Sequence, residues 1–363
     1  MIRKLTAIIA ALLMLCACDS TKHPVTEPVA KVRRTLLVYM EARNNLSSAA
    51  LDDLAEMRIA DIPDDCRLLV YRSINGADHP ELVEIRRDRE TTLAEYPAEA
   101  SAVDPVQMAT VLADVKKLAP ADEYGMVLWS HSSGWRQKSP ALMHSRAYGL
   151  ENGRTMSITN LAKALRDSDL SFLIFDTCYM GSVEVAYELR NAARWMVASV
   201  CEVPTPGMPY NLTLPGLFDA DMARGLQSAI DITVDSYIAD PTQLCPSTLS
   251  LIDLSALDDL AAEVKDIIDN PLPEGFRPQR FSVDRPYASL FFDLGQYMQA
   301  LGGTTAAALE RAVIHERHTD KIWVRLPIDH CSGLSVYIPG IDAGYDLTSY
   351  DYNTLEWARY MGR

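Results

Sequence analysis

LIFDTCYMGSVEVAYEL, Leu173 to Leu189, sets both the fold and the chemistry of this chain. A continuous apolar run, Ser171 to Phe175, is the pattern of a strand covered on both faces. From Gly181 onward, Val183, Ala186, Tyr187 and Leu189 recur at helical spacing, so Cys178 stands at a strand-to-helix junction. Upstream, Tyr124 to Trp129 is another such run, and it opens into WSHSSGW, which carries His131. In an open parallel sheet the ligand site lies beyond the carboxyl ends of the strands, and both residues are delivered there. A histidine beside a thiol is the minimal equipment of a cysteine nucleophile. The helix that follows is expected to favour thiolate at Cys178 through its N-terminal N–H groups and dipole.

The same alternation extends outward. Thr35 to Met40, Arg67 to Tyr71 and Trp195 to Val200 read as further buried strands, and Glu81 to Arg87 as a hairpin strand. Amphipathic helices are expected over Ser47 to Ala60, with Leu51, Leu54 and Ile59 near one face, and over Asp104 to Leu118, with Val111, Leu112 and Val115. Ser157 is the expected cap of a helix running to Leu165. The β-α-β-α series implies an α/β/α sandwich with a mostly parallel central sheet. After Tyr210 a Pro- and Gly-containing stretch to Gly216 breaks the pattern. Helices are expected at Asp219–Ile238, Ser255–Ile268, Phe291–Leu301 and Thr304–Arg317, with strands Thr248–Ile252 and Leu334–Ile338 joining the main sheet. The expected division is a core over 34–240 and a C-terminal helical subdomain over 241–363. His315 and His318 then share a helix face as surface histidines, and no metal is assigned.

With 363 residues the chain is long enough for one large α/β domain with an appendage. A net charge of −15 and the lack of a basic block argue against nucleic acid and favour cationic peptide partners. The N-terminus reads as an export signal over residues 1–17: Arg3 and Lys4 precede an apolar stretch, Leu5 to Leu15, that is too short to span a bilayer. Leu15-Cys16-Ala17-Cys18 resembles a bacterial lipobox, which makes Cys18 the expected lipidated residue. Residues 18–33 are then a tether that anchors the protein to a membrane of the cell envelope, facing the periplasm or the cell exterior. Cys66, Cys178, Cys201, Cys245 and Cys331 show no CxxC spacing, and their odd number leaves a thiol unpaired. The pairs Asp52-Asp53 and Asp64-Asp65 read as solvated surface.

VYMEARNNLSSAALDDLAEM (Val38 to Met57), WSHSSGW and FDTCYMGSVEVAYEL resemble, in order, the motifs of the clostripain family of cysteine peptidases, in the caspase and gingipain clan. The resemblance implies a caspase-like fold, a catalytic dyad of His131 and Cys178, an oxyanion donor at the backbone of Ser132, and Asp176 in the pocket for the side chain before the scissile bond. Glu202, at the end of the next strand, is a second candidate acid there. Period-two alternation gives Asp176 a basis of its own, since it shares a side with Cys178 if the strand persists. A carboxylate there would pair with Arg or Lys. The expected activity is that of a lipid-anchored endopeptidase cutting after Arg or Lys, with no cofactor read from the residues and calcium open through the resemblance alone.

Some members of the family are activated by an internal cut, and Arg136 to Arg154, with Lys138 and Arg146, reads as an exposed loop open to one. Two positions depart from the family pattern: Ser132 where it has glycine, and Arg43 where it has aspartate. They keep a second reading open, a caspase-like lipoprotein that serves as a binding or scaffold module.

Overall fold

Five parallel strands form the centre of the protein, because their apolar runs can be buried only between two layers of helices. In this computed structural model, residues 29–87, 89–136, 147–240, 247–283, 290–303, 307–323, 325–341 and 352–363 are described. The expected lipidation at Cys18, the signal, most of the tether and of the 136–154 loop, and Cys245 lie outside them.

The first half of the chain contains β1 (Val32–Ala42), α1 (Ser47–Ile59), β2 (Cys66–Ile74), β3 (Glu81–Arg86), β4 (Arg89–Glu95), α2 (Pro105–Leu118), β5 (Ala121–Trp129), β6 (Tyr148–Glu151), β7 (Arg154–Met156), α3 (Ile158–Leu165), β8 (Leu170–Asp176), α4 (Val183–Glu188) and β9 (Ala193–Ala198). The second half contains α5 (Tyr210–Leu217), α6 (Met222–Ala239), β10 (Thr248–Asp253), α7 (Leu257–Ile267), β11 (Phe292–Asp293), α8 (Leu294–Ala300), α9 (Ala307–Ala312), β12 (Val313–His318), β13 (Lys321–Ile322), β14 (Leu326–Pro327), β15 (Ser335–Val336) and α10 (Glu356–Met361). The main sheet runs β12-β10-β9-β8-β5-β1-β2-β3-β4. Pairing is parallel from β2 through β1, β5 and β8 to β9, and antiparallel at both margins.

Alternation along β1 sorts the two cores. Leu37 and Tyr39 pack with Met108 and Val111 of α2, Leu161 of α3 and Val183 of α4. Leu36, Val38 and Met40 pack with Leu54 of α1, Leu214 of α5 and Ile230 of α6 on the opposite face. The first core also takes in Leu260 of α7 and Trp357 of α10, so the C-terminal third shares it. Asp104 and Ser157 cap α2 and α3 by accepting from Val106 N and Asn160 N.

Several expectations are corrected. Leu51 and Ile59 are exposed, and α1 is buried instead through Ala49, Ala50, Asp53, Leu54 and Met57. The stretch after Tyr210 is helical as α5, with Pro215 in its last turn. The helix expected as far as Arg317 ends at Ala312, and His315 and His318 lie on β12, where β-branched Val313 and Ile314 begin an edge strand paired with β10. The strand expected over Leu334–Ile338 does not join the main sheet. Its β15 portion pairs with β11, and Ser335 N donates to Gly181 O just beyond Cys178.

Candidate active site

The registers of β5 and β8 bring the two motifs together, because Trp129 pairs directly with Asp176. His131 and Cys178 each lie two residues past that pair, and both line one cleft of about 220 Å³ with Asp176, Glu202 and Trp323. The turn after β8 is fixed by Tyr179, whose φ of 59° is left-handed backbone that a bulky side chain seldom adopts. Its ring stacks on Phe291, centroids 4.8 Å apart, and its hydroxyl hydrogen-bonds Ser282. Tyr179 N donates to Cys201 O, and Gly181 N to Ser199 O, so the turn is bound to the end of β9.

The Cys178 sulfur lies against the backbone of Val203, whose N–H approaches it at 3.4 Å. Burial, with the nearby charge of Glu202, pushes the thiol up to about 12. This reverses the expectation of a helix-stabilised thiolate. Helix α4 starts only at Val183, the Ser182 hydroxyl caps it by accepting from Val185 N, and burial is the largest influence on the thiol. The thiol is therefore neutral at rest.

His131 lines the same cleft. Its Nε2 is 2.8 Å from Asn45 Oδ1, an oxygen that can only accept, so Nε2 carries the proton and Nδ1 is the basic nitrogen. Behind it, the fully buried Glu41 at the end of β1 accepts from Ser130 Oγ, Leu150 N and Asn44 Nδ2. One carboxylate thus ties the residue before His131, the residue before Asn45 and the β6 hairpin together. Burial raises Glu41 to about 7. An acid interrupting an apolar strand was the available signal for it in VYMEARNN.

Ser132 turns its hydroxyl to the Cys178 carbonyl, and its backbone is not among the left-handed residues, so a serine is accommodated without strain. Arg43 does not line the cleft; it donates to Ala98 O and pairs with Glu151 at 3.5 Å. Glu202 accepts from the Trp323 indole across the cleft.

Asp176 closes the cleft floor. It is 8% exposed, accepts from Met208 N at 3.2 Å and from Tyr210 hydroxyl at 2.9 Å, and is raised by burial to about 6. Gly207, with φ +59°, lets the chain pass over it, and a Cβ there would meet Asp176 Oδ2 at 2.9 Å. Asp53, expected on the surface, is 3% exposed and accepts from Trp129 Nε1 at 2.6 Å. Burial, then the Asp176 charge, raises it to about 8.

A carboxyl whose folded pKa exceeds its unfolded one adds stability at low pH and loses it as pH rises through the folded value. Asp53→Asn, which keeps an acceptor for Trp129, is therefore expected to stabilise. The gain is small near about pH 4 and grows to roughly 2–6 °C in Tm near about pH 8. Thermal unfolding at both pH values checks it, and a gain confined to low pH refutes the assignment.

The sequence model of the clostripain family, Peptidase C11, matches residues 38–300. Clostripain of Hathewaya histolytica is 28% identical over 227 residues, 53% of this chain, and the chain spans only 42% of that relative's length. The X-ray structure of a secreted C11 cysteine protease from Bacteroides thetaiotaomicron, in complex with an irreversible peptide inhibitor, is 28% identical. It superposes with a TM-score of 0.77 over 91% of this chain and 99% of that one. A clostripain from the same organism, in complex with the peptide inhibitor BTN-VLTK-AOMK, is 26% identical, with a TM-score of 0.51 over 59% of this chain and 97% of its own. With the family model matching well over half of its length and the three motifs in one cleft, the chain belongs to the clostripain family.

Proposed function

We propose that the protein is a cysteine endopeptidase that cleaves after Arg or Lys. The observation that carries this reading is the composition of the cleft. A thiol and an imidazole from adjacent strand ends stand over a buried carboxylate, and no Lys or Arg lines it among the described residues. Cys178 attacks the peptide carbonyl as His131 takes its proton. The imidazolium then protonates the leaving amine, and His131 later activates the water that releases the acyl group. Ser132 N and the backbone around Cys178 are the proposed oxyanion donors.

Asp176 is the proposed partner of the substrate cation, with Glu202 adding negative charge at the rim. Burial without a cation leaves Asp176 poorly compensated, and an Arg or Lys side chain relieves that. The VLTK peptide bound by the Bacteroides relative ends in lysine, which supports a basic preference here. Export and a lipid anchor at Cys18 are inferred from the Leu15–Cys18 pattern. Among the described residues no helix is long and apolar enough to cross a membrane.

A fluorogenic peptide panel varying only the residue before the cut tests the reading. Arg and Lys peptides are expected to be turned over about 10²-fold faster than Gln or Leu analogues. Equal rates refute the pocket assignment, and no cleavage of any peptide favours the scaffold reading.

A further inference from the structure

We propose a second site, a soft divalent cation site for zinc or a metal of like preference, formed by Glu316, His318 and Cys331 on the far margin of the sheet. One ligand atom from each of these three residues lies within 4.8 Å of the other two, and all three side chains are half-buried. They are the only such group among the described residues.

The arrangement follows from the edge strand. Glu316 and His318 are two apart on β12, so they share a face, opposite Ser250 and Thr248 of β10. Cys331 is brought onto that face by the segment before β15. Ser332 N donates to Asp293 Oδ2 at 2.6 Å, and Gly333, at φ +87°, presses against the strands so closely that a Cβ would meet Val313 Cγ1 at 2.6 Å. Ser250 Oγ beneath Gly333 is buried with no hydrogen-bond partner among the described residues, so this margin of the core is polar as well as apolar.

The donor set decides the metal. Thiolate and imidazole suit zinc and its neighbours rather than calcium or magnesium, which take oxygen. Tetrahedral zinc holds such donors about 3.4 Å apart, so the imidazole and carboxylate, now 2.9 Å apart, open slightly as the metal enters between them. His318 Nδ1 is now 2.9 Å from Glu316 Oε1, with Cys331 Sγ within 4.8 Å of that cluster. On binding, the metal takes the place of the His318–Glu316 hydrogen bond, and the thiol proton of Cys331 is released to solvent. Cys331, with His330 and Ser332, also lines a cavity of about 440 Å³, through which water and a metal ion could reach the thiol. The bound metal would pin β12, which leads into the β13–β14 hairpin, to the Cys331 segment, which follows it, and that hairpin carries Trp323 into the catalytic cleft.

Cobalt(II) titration of the full chain carrying Cys178→Ala, which removes the cleft thiol, is the test. The expected result is saturation at about one metal per chain, with a sulfur-to-cobalt absorption band displaced by zinc. Cys331→Ser is expected to abolish the band, and His318→Gln to weaken binding by at least about 10-fold, both with unfolding curves like the parent's. If Cys331→Ser does not fold, the His318→Gln arm decides alone. No saturable band in the parent, a band that survives Cys331→Ser, or unchanged affinity in His318→Gln overturns the site.

Discussion

Replacing Cys178 with alanine is expected to lower kcat/KM for an Arg peptide by on the order of 10⁴-fold or more, with the fold unchanged. The size follows from the state of the thiol. Raised to about 12 by burial, Cys178 gains nothing from a standing thiolate, so attack depends on a proton transfer at the moment of reaction. For the same reason His131→Ala is expected to cost about 10²–10⁴-fold, much more than a merely orienting histidine would. Combining the two should cost little beyond Cys178→Ala alone, because they act as one unit. Single and double variants assayed with one Arg peptide check this. An additive double variant, or a His131→Ala enzyme within a few-fold of wild type, contradicts the dyad.

The second large effect is on specificity. Asp176→Asn preserves the shape and an acceptor for Tyr210 but removes the charge, and a desolvated charge pair of this kind is worth about 2–5 kcal/mol. Arg and Lys peptides are expected to lose roughly 10²-fold in kcat/KM while Gln analogues change little. The wild-type preference should also depend on pH in a definite sense. Asp176, raised to about 6, attracts a cation only when ionised, so the Arg/Gln ratio is high above that value and falls as pH drops through it. In Asp176→Asn the ratio should be flat over the same range. Measuring both ratios across the range checks the pair, and an unchanged Arg/Gln ratio in the variant moves the recognition of basic residues elsewhere, to Glu202 first.

What was legible in the sequence was what strand physics writes locally. Runs such as LLVYM and FLIF read as strands covered on both faces, and their carboxyl ends locate His131, Cys178 and Asp176 in one place. The supporting contacts were not legible, because each joins distant segments: Asn45 to His131 across 86 residues, Ser130 to Glu41 across 89, Tyr210 to Asp176 across 34. Local pattern also misled where two signals overlap. The alanine-rich helix α9 runs without a turn residue into VIHERH, and only pairing with β10 makes that segment a strand. Asp53 looked like solvated surface because its neighbour Asp52 is, yet the helix face turns one toward Trp129 and leaves the other outside. The thiol expectation failed because Cys178 is buried: helix α4 starts five residues on, at Val183, and desolvation dominates the thiol's pKa.

The most direct measurement of the central claim is covalent. The wild-type chain is treated near neutral pH with an acyloxymethyl ketone peptide ending in arginine and with its glycine-ended analogue, then analysed by intact mass and peptide mapping. The account predicts a single arginine-peptide adduct per chain, carried on Cys178, and much slower labelling by the glycine analogue. Equal labelling by the two peptides, or adducts spread over Cys66, Cys201 and Cys331 with Cys178 unmodified, would contradict it.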